Sequence, residues 1–154
     1  MNVRLLLLLV LFPFGSVFSQ TEAQPTLPTT MLVIGRQSVK AEVADDDAER
    51  ATGMMFRESL DDGSGMLFVM PSIGPAAFWM RNTKIPLSIA FISPDGVIAE
   101  IHEMQAMSEK RVRSMFPNVA YALEMPAGWF SRKNIWPGER VIGLPKHPQA
   151  GSRP

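Results

Sequence analysis

The chain has no cysteine. That excludes disulfides, thiolate metal sites and a cysteine nucleophile. Histidine is scarce, with only His102 and His147. No zinc signature or Gly-rich phosphate loop appears, and Ser88, Ser93 and Ser114 lack a nucleophile-elbow context. An excess of one charge is also missing. Lys plus Arg equals Asp plus Glu at 15 each, a formal net charge of zero. Such a balance gives no long-range field to draw in nucleic acid or an anionic membrane. The apolar run Leu5 to Phe14 falls short of the roughly 20 residues a spanning helix needs.

What is present points to an exported, mostly β chain. Thirteen prolines and eleven glycines favour short elements joined by tight turns. Arg4, the apolar run and Val17-Phe18-Ser19 read as a secretory signal over residues 1–19. The expected destination is the periplasm or the extracellular space, with no stable membrane span once the signal is cut. Residues 20–30, rich in Pro, Thr and Gln, read as a disordered linker, and residues 145–154 as a disordered tail. Residues 31–144 are then one globular β domain, monomer-sized and large enough for one core.

Within it, Val39, Ala41 and Val43 alternate with Lys40 and Glu42, a strand period with one wet face. Asp45 to Asp47 can cap a short helix over Ala48 to Thr52, and Gly53 suits its end. Met66 to Met70 reads as a buried strand. Ala76 to Met80 reads as another, with Ser72 to Pro75 a loop between them. Leu87 to Ile92 and Val97 to His102 flank Ser93-Pro94-Asp95-Gly96, the pattern of a β-hairpin whose return strand should alternate, with Ile98, Glu100 and His102 on the face opposite Val97, Ala99 and Ile101. Glu103 to Pro117 is a polar, basic excursion. Val119 to Met125 is a strand, Trp129 to Asn134 a basic loop, and Arg140 to Leu144 the last strand. About seven short strands and one short helix predict a mostly β fold, a compact β-sandwich or an open barrel.

Several strings have a shape beyond period. They are Glu49-Arg50, Gly53-Met54-Met55, Arg57, Gly65-Met66-Leu67-Phe68 and above all Phe78-Trp79-Met80-Arg81-Asn82-Thr83. Ile85-Pro86-Leu87, Phe91-Ile92, Asp95-Gly96-Val97-Ile98, Tyr121-Ala122-Leu123-Glu124, Gly128 and Gly138-Glu139-Arg140-Val141 follow. With these the chain resembles the family known as domain of unknown function 192, from about Val39 to Leu144. The resemblance implies a single, mostly β, often exported domain and brings no agreed activity. It has two departures: Met54 stands where the family usually has Leu, and Ser88 where it usually has Asp. If that aspartate served as a base or metal ligand, the role is lost here.

The candidate site is Trp79 to Thr83, with Arg57 and Glu124 beside it. Arg81 can grip a carboxylate or phosphate, Asn82 and Thr83 supply donors and acceptors, and Trp79 offers a stacking face. The structural reading of the same string is a turn before Pro86, with Arg81 paired to Glu124 or Glu49. Glu124, between Leu123 and Met125, needs a cation to stay ionised inside a strand. Arg57 or Arg81 would be that cation. The favoured function is non-catalytic binding of a small anionic or carbohydrate ligand, or of an envelope protein partner, with no cofactor. One alternative is a hydrolase of envelope material using Glu124 and His102. Another is a copper(I) protein using Met54, Met55, Met66, Met70 and Met80, against which stands methionine as a core filler.

Overall fold

The computed structural model describes residues 22–149. The expected signal over 1–19 lies outside the described residues. Nine strands and two short helices follow one another. They are β1 (Thr29–Ile34), β2 (Gln37–Ala44), α1 (Asp47–Thr52), β3 (Ser64–Gly74), β4 (Ala77–Phe78) and β5 (Leu87–Ile92). Then come β6 (Ile98–Met104), β7 (Val112–Arg113), β8 (Val119–Pro126), α2 (Trp129–Arg132) and β9 (Val141–Ile142). Seven strands make one curled sheet, a half-barrel, in the order β6-β5-β8-β3-β2-β1-β9. The mostly β expectation and its open-barrel form are what the chain adopts. A bridge between Val97 and Arg140 draws the two outer edges together at one end.

All neighbours in the sheet are antiparallel except β2 and β3. A parallel pair needs a crossover, and α1 lies in it. The helix starts where the sequence says it should. Asp46 accepts from the Glu49 amide at 2.8 Å, and the Glu49 side chain accepts from the Asp46 amide. This capping box satisfies two amides that the first turn leaves over. Gly53 follows at φ +50°, where a side chain would be strained.

The centre of the sheet, β5, β8 and the first half of β3, is buried on both faces, while β1 and β2 keep a partly wet side. Every residue of β5 is buried, which is why, Ser88 apart, it reads as an apolar run and not as an alternation. Leu67, Val69, Ala90, Ile92, Tyr121 and Leu123 face the inside of the curl with Trp129 and Phe130. Met66, Phe68, Leu87, Ile89, Phe91 and Ala122 face outward, under Met54, Met80 and Phe78. The excursion expected over Glu103 to Pro117 contributes β7, which pairs with β4 as a small second sheet. That sheet helps roof the outer core.

Four expectations need correction. The strand predicted over Ala76 to Met80 is only β4, because its amides pair with the short β7 and not with the main sheet. The loop predicted from Ser72 instead continues β3 to Gly74 across an irregular register. On β6 the alternation breaks at Ala99: Phe91 faces Glu100 but Ile92 faces Ile98. One extra residue therefore brings Ile98 to the same core as Ile101. The basic loop at Trp129 is α2, whose first turn buries Trp129 and Phe130 against the inner core.

Neither flank is loose where it is described. Gln24 donates to the carbonyls of Glu49 and Gly53, the Leu27 amide donates to Glu42, and the Val43 amide donates to Pro28. β1 begins at Thr29, inside the expected linker. In the tail, His147 is fully buried. Its Nε2 lies 2.9 Å from the Met70 carbonyl, and its ring meets Tyr121 edge-on. Tyr121 Oη donates to the Pro145 carbonyl at 2.8 Å. Polar composition hid this docking, because buried polar groups cost little once each is hydrogen-bonded. Ending the chain after Leu144 should remove about 2 kcal/mol of stability, a fall of roughly 5–10 °C in a thermal melt. An unchanged melt would mean the tail adds nothing.

Candidate functional site

The Trp79 to Thr83 string leaves β4 and turns at once. The Thr83 amide donates to the Met80 carbonyl at 3.1 Å, and Asn82 sits at φ +55°. Asn tolerates that left-handed conformation better than most residues. The Asn82 carbonyl accepts from the Phe56 amide at 2.8 Å, and the Thr83 carbonyl from Met107 at 2.9 Å. Asn82 and Thr83 therefore build the turn, as their structural reading held. Arg81 does not complete that reading, since it pairs with neither Glu124 nor Glu49. Its guanidinium lies 5.5 Å from the centre of the Trp79 ring, and that of Arg111 lies 5.2 Å away. Each is a cation–π contact. Among the described residues no acidic side chain forms an ion pair with either arginine.

Trp79 stands between two spaces. Outside it is a cleft of about 350 Å³ lined by Asp47, Arg50, Phe68, Phe78 and Arg111. Deeper in is the inner cavity, a smaller hollow of about 30 Å³ that is itself partly open to solvent; it shares Arg50, Phe68, Phe78 and Trp79 and adds Thr52, Thr83 and Glu124. The inner space is large enough for a water molecule or a group of that size. Sequence reasoning missed Arg50, Thr52 and Arg111. The capping box was the available signal for Arg50, since it fixes the helix that brings this residue over the outer core. Arg111 read as part of a solvated basic run.

Glu124 is the residue the sheet brings to the floor. It faces Ile89 of β5 on one side and Met66 of β3 on the other. It is 3% exposed, and among the described residues no donor or cation reaches its carboxyl. Burial alone pushes its pKa up to about 8. The cation expected beside it is elsewhere. Arg57 makes a two-pronged pair with Glu42, at 2.9 and 2.8 Å, across Met66 from Glu124. Arg57 thus leaves the candidate site: it fixes a neighbouring buried carboxylate.

His102 shares the register row of Ile89 and Glu124 and so the same face. It is two strands from Glu124, roughly 10 Å, with Ile89 between. Its Nε2 lies 2.8 Å from Glu100. Burial would raise the Glu100 carboxyl, but the Phe116 and Met115 amides and His102 outweigh that and hold it below the usual range. Ser88 is on the opposite face. Its hydroxyl donates to Glu103 at 2.7 Å and accepts from the Gly128 amide at 2.8 Å. Replacing the family's aspartate therefore touches the approach to α2, not the Glu124 cavity. Met54, Met66 and Met80 are buried in the outer core.

A family model for DUF192, described as Uncharacterized ACR, COG1430, matches residues 30–143. The chain belongs to the DUF192 family. Among solved structures, it is 34% identical to a Sinorhizobium meliloti 1021 protein described as a candidate transcription regulator. The TM-score is 0.74, over 78% of this chain and 97% of that one. It is also 34% identical to a protein of unknown function from Novosphingobium aromaticivorans DSM 12444. There the TM-score is 0.71, over 75% of this chain and 85% of that one. No curated protein matches this DUF192 chain.

Two measurements check the electrostatics of this DUF192 sheet. Arg57→Ala leaves Glu42 buried without its cation and should cost about 3–5 kcal/mol, read by urea unfolding at pH 7. Glu124 has its folded pKa above that of the free side chain, 4.5. The folded chain thus holds a proton that the unfolded chain has released. Stability from this group is full below about pH 4.5 and is lost as pH rises toward 8, by on the order of 4–5 kcal/mol. Glu124→Gln should flatten that slope, so the variant melts higher than the parent at pH 9. Parallel profiles from pH 5 to 9 would show that Glu124 faces water.

Proposed function

We propose that this chain is an exported, non-catalytic binding domain for a small anionic ligand. The observation that carries the reading is the pair of guanidiniums, Arg81 and Arg111, over the Trp79 ring beside a 350 Å³ cleft. An arginine without an acidic partner keeps its fork of donors for a carboxylate or phosphate from outside. Arg50 lines the same cleft but is tied to Asp47 and to the Val69 carbonyl, so it shapes the wall. A neutral sugar stacking on Trp79 would compete with the arginines already over it, which favours an anion over a carbohydrate.

Other readings draw less support. Hydrolysis asks for two titratable groups within reach of one reacting atom, and Ile89 separates Glu124 from His102. A regulator that binds nucleic acid, as the description of the Sinorhizobium protein suggests for that protein, would need a basic face. This chain offers Lys110, Arg111 and Arg113 against a net charge of zero.

Thermal shift with succinate, inorganic phosphate and N-acetylglucosamine, each against chloride of equal ionic strength, tests the proposal. Succinate or phosphate should raise the melting temperature of the parent by a few degrees, as mass action requires of a ligand well above its Kd. Arg111→Gln should lose most of that rise. A rise with the sugar alone, or one that Arg111→Gln keeps, would overturn the anionic reading.

A further inference from the structure

The anionic reading leaves the inner cavity without a task, and its chemistry is opposite to that of the cleft. Its lining presents acceptors. Thr83 Oγ1 already donates to the Arg81 carbonyl, so it turns acceptor character to any further partner. Glu124 adds a carboxyl that no donor or cation among the described residues satisfies. We infer that the inner cavity receives a primary ammonium group. The ligand is then a small zwitterion, with its anionic end at Arg81 and Arg111 and its ammonium at Glu124. This rests on the proposed site and deepens it.

Size and surroundings both support an ammonium. A cavity of about 30 Å³ takes a water-sized group such as –NH₃⁺, with the carbon it is bonded to left at the open mouth. A divalent metal would want several oxygen ligands, and among the described residues no three His, Cys, Asp or Glu side chains cluster to supply them. The other charged groups around Glu124 are already engaged. On α1, Arg50 is held by Asp47 and Val69. Beyond Met66, Glu42 is held by Arg57. Beyond Ile89, His102 and Glu100 hold each other. An entering ammonium is therefore the cation that Glu124 lacks.

The proton balance follows. The empty site carries a neutral carboxyl at pH 6 to 7, since burial raises it toward 8. The bound site pairs a carboxylate with R–NH₃⁺, so one proton leaves to solvent per ligand bound. Apparent affinity should then rise about tenfold per pH unit up to about pH 8 and level off above it. Methylammonium, cationic across this range, is the probe for the inner cavity alone. Tetramethylammonium, with four methyl groups and no N–H, is the control for charge without fit.

The experiment is thermal shift on the whole chain with methylammonium chloride or tetramethylammonium chloride at pH 6, 7 and 8. Methylammonium should raise the melting temperature more than tetramethylammonium does. The difference should grow with pH and vanish in Glu124→Gln. Equal shifts by the two cations, a difference that ignores pH, or one that survives Glu124→Gln would each overturn the inference. Because the cation comparison is made on the parent chain, it stands even if the variant folds poorly. Repeating it in Arg111→Gln separates the two proposals. A kept methylammonium response with a lost phosphate response supports both. A kept methylammonium response in a parent chain indifferent to phosphate retains the ammonium site and removes the anionic one.

Discussion

The central strands of a sheet covered on both faces have no wet side on which to place a carboxylate, and that constraint orders everything else in this molecule. β8 is the centre of it, hydrogen-bonded to β3 on one side and β5 on the other. Its residues are packed between an inner core closed by Trp129 and Phe130 and an outer core roofed by Met54, Phe78 and Met80. Any charge introduced there must find a partner, change its protonation state or open a space. The outer face carries three carboxylates across five strands, and each meets the constraint differently. Glu42 takes the fork of Arg57. Glu100 takes an imidazole and amides from the excursion after β6. Glu124, the innermost, keeps its proton and borders a void.

That arrangement accounts for the position of the cleft. α1 and the β4–β7 ribbon both lie on the outer face because the parallel step from β2 to β3 needs a crossover, and because β4 turns away at Asn82. Where they meet, Trp79 borders both the larger cleft and the smaller hollow beside Glu124. Gly65 contributes from below. A Cβ there would stand 2.5 Å from the Glu124 carbonyl and from Met125 Sδ, so β8 can lie this close to β3 only over a bare backbone.

Much of this was legible in the residues. Ser93 to Gly96 between two apolar runs announced its hairpin, and Asp46 with Glu49 announced a helix start, because both signals are local. The short β4 was not, since a strand of two residues owes its existence to β7 rather than to its own period. Nor was the docked tail, where His147 and Tyr121 sit 5.6 Å apart after 25 intervening residues of unrelated character. At the site, Trp79 and Glu124 stood out by residue type. Their partners did not, because ion pairing is a fact of distance: Arg57 and Arg81 were equally good on paper, and the register of β2 against β3 assigned the first to Glu42. Arg111 reached Trp79 through a loop whose composition said only that it was wet.

The position of β8 in the strand order bears on when the molecule can assemble. β3 and β5 are both complete by residue 92, yet nothing joins them until residues 119–126 arrive to fill the gap. Until then a nascent chain holds two half-sheets, each with a bare edge and uncovered apolar surface, the condition most open to wrong partners. β8, made after every strand of the main ladder except the two-residue β9, is thus also its keystone. Chains cut short of it cannot rest in a smaller version of the same fold, so acquisition of structure waits on nearly the whole sequence.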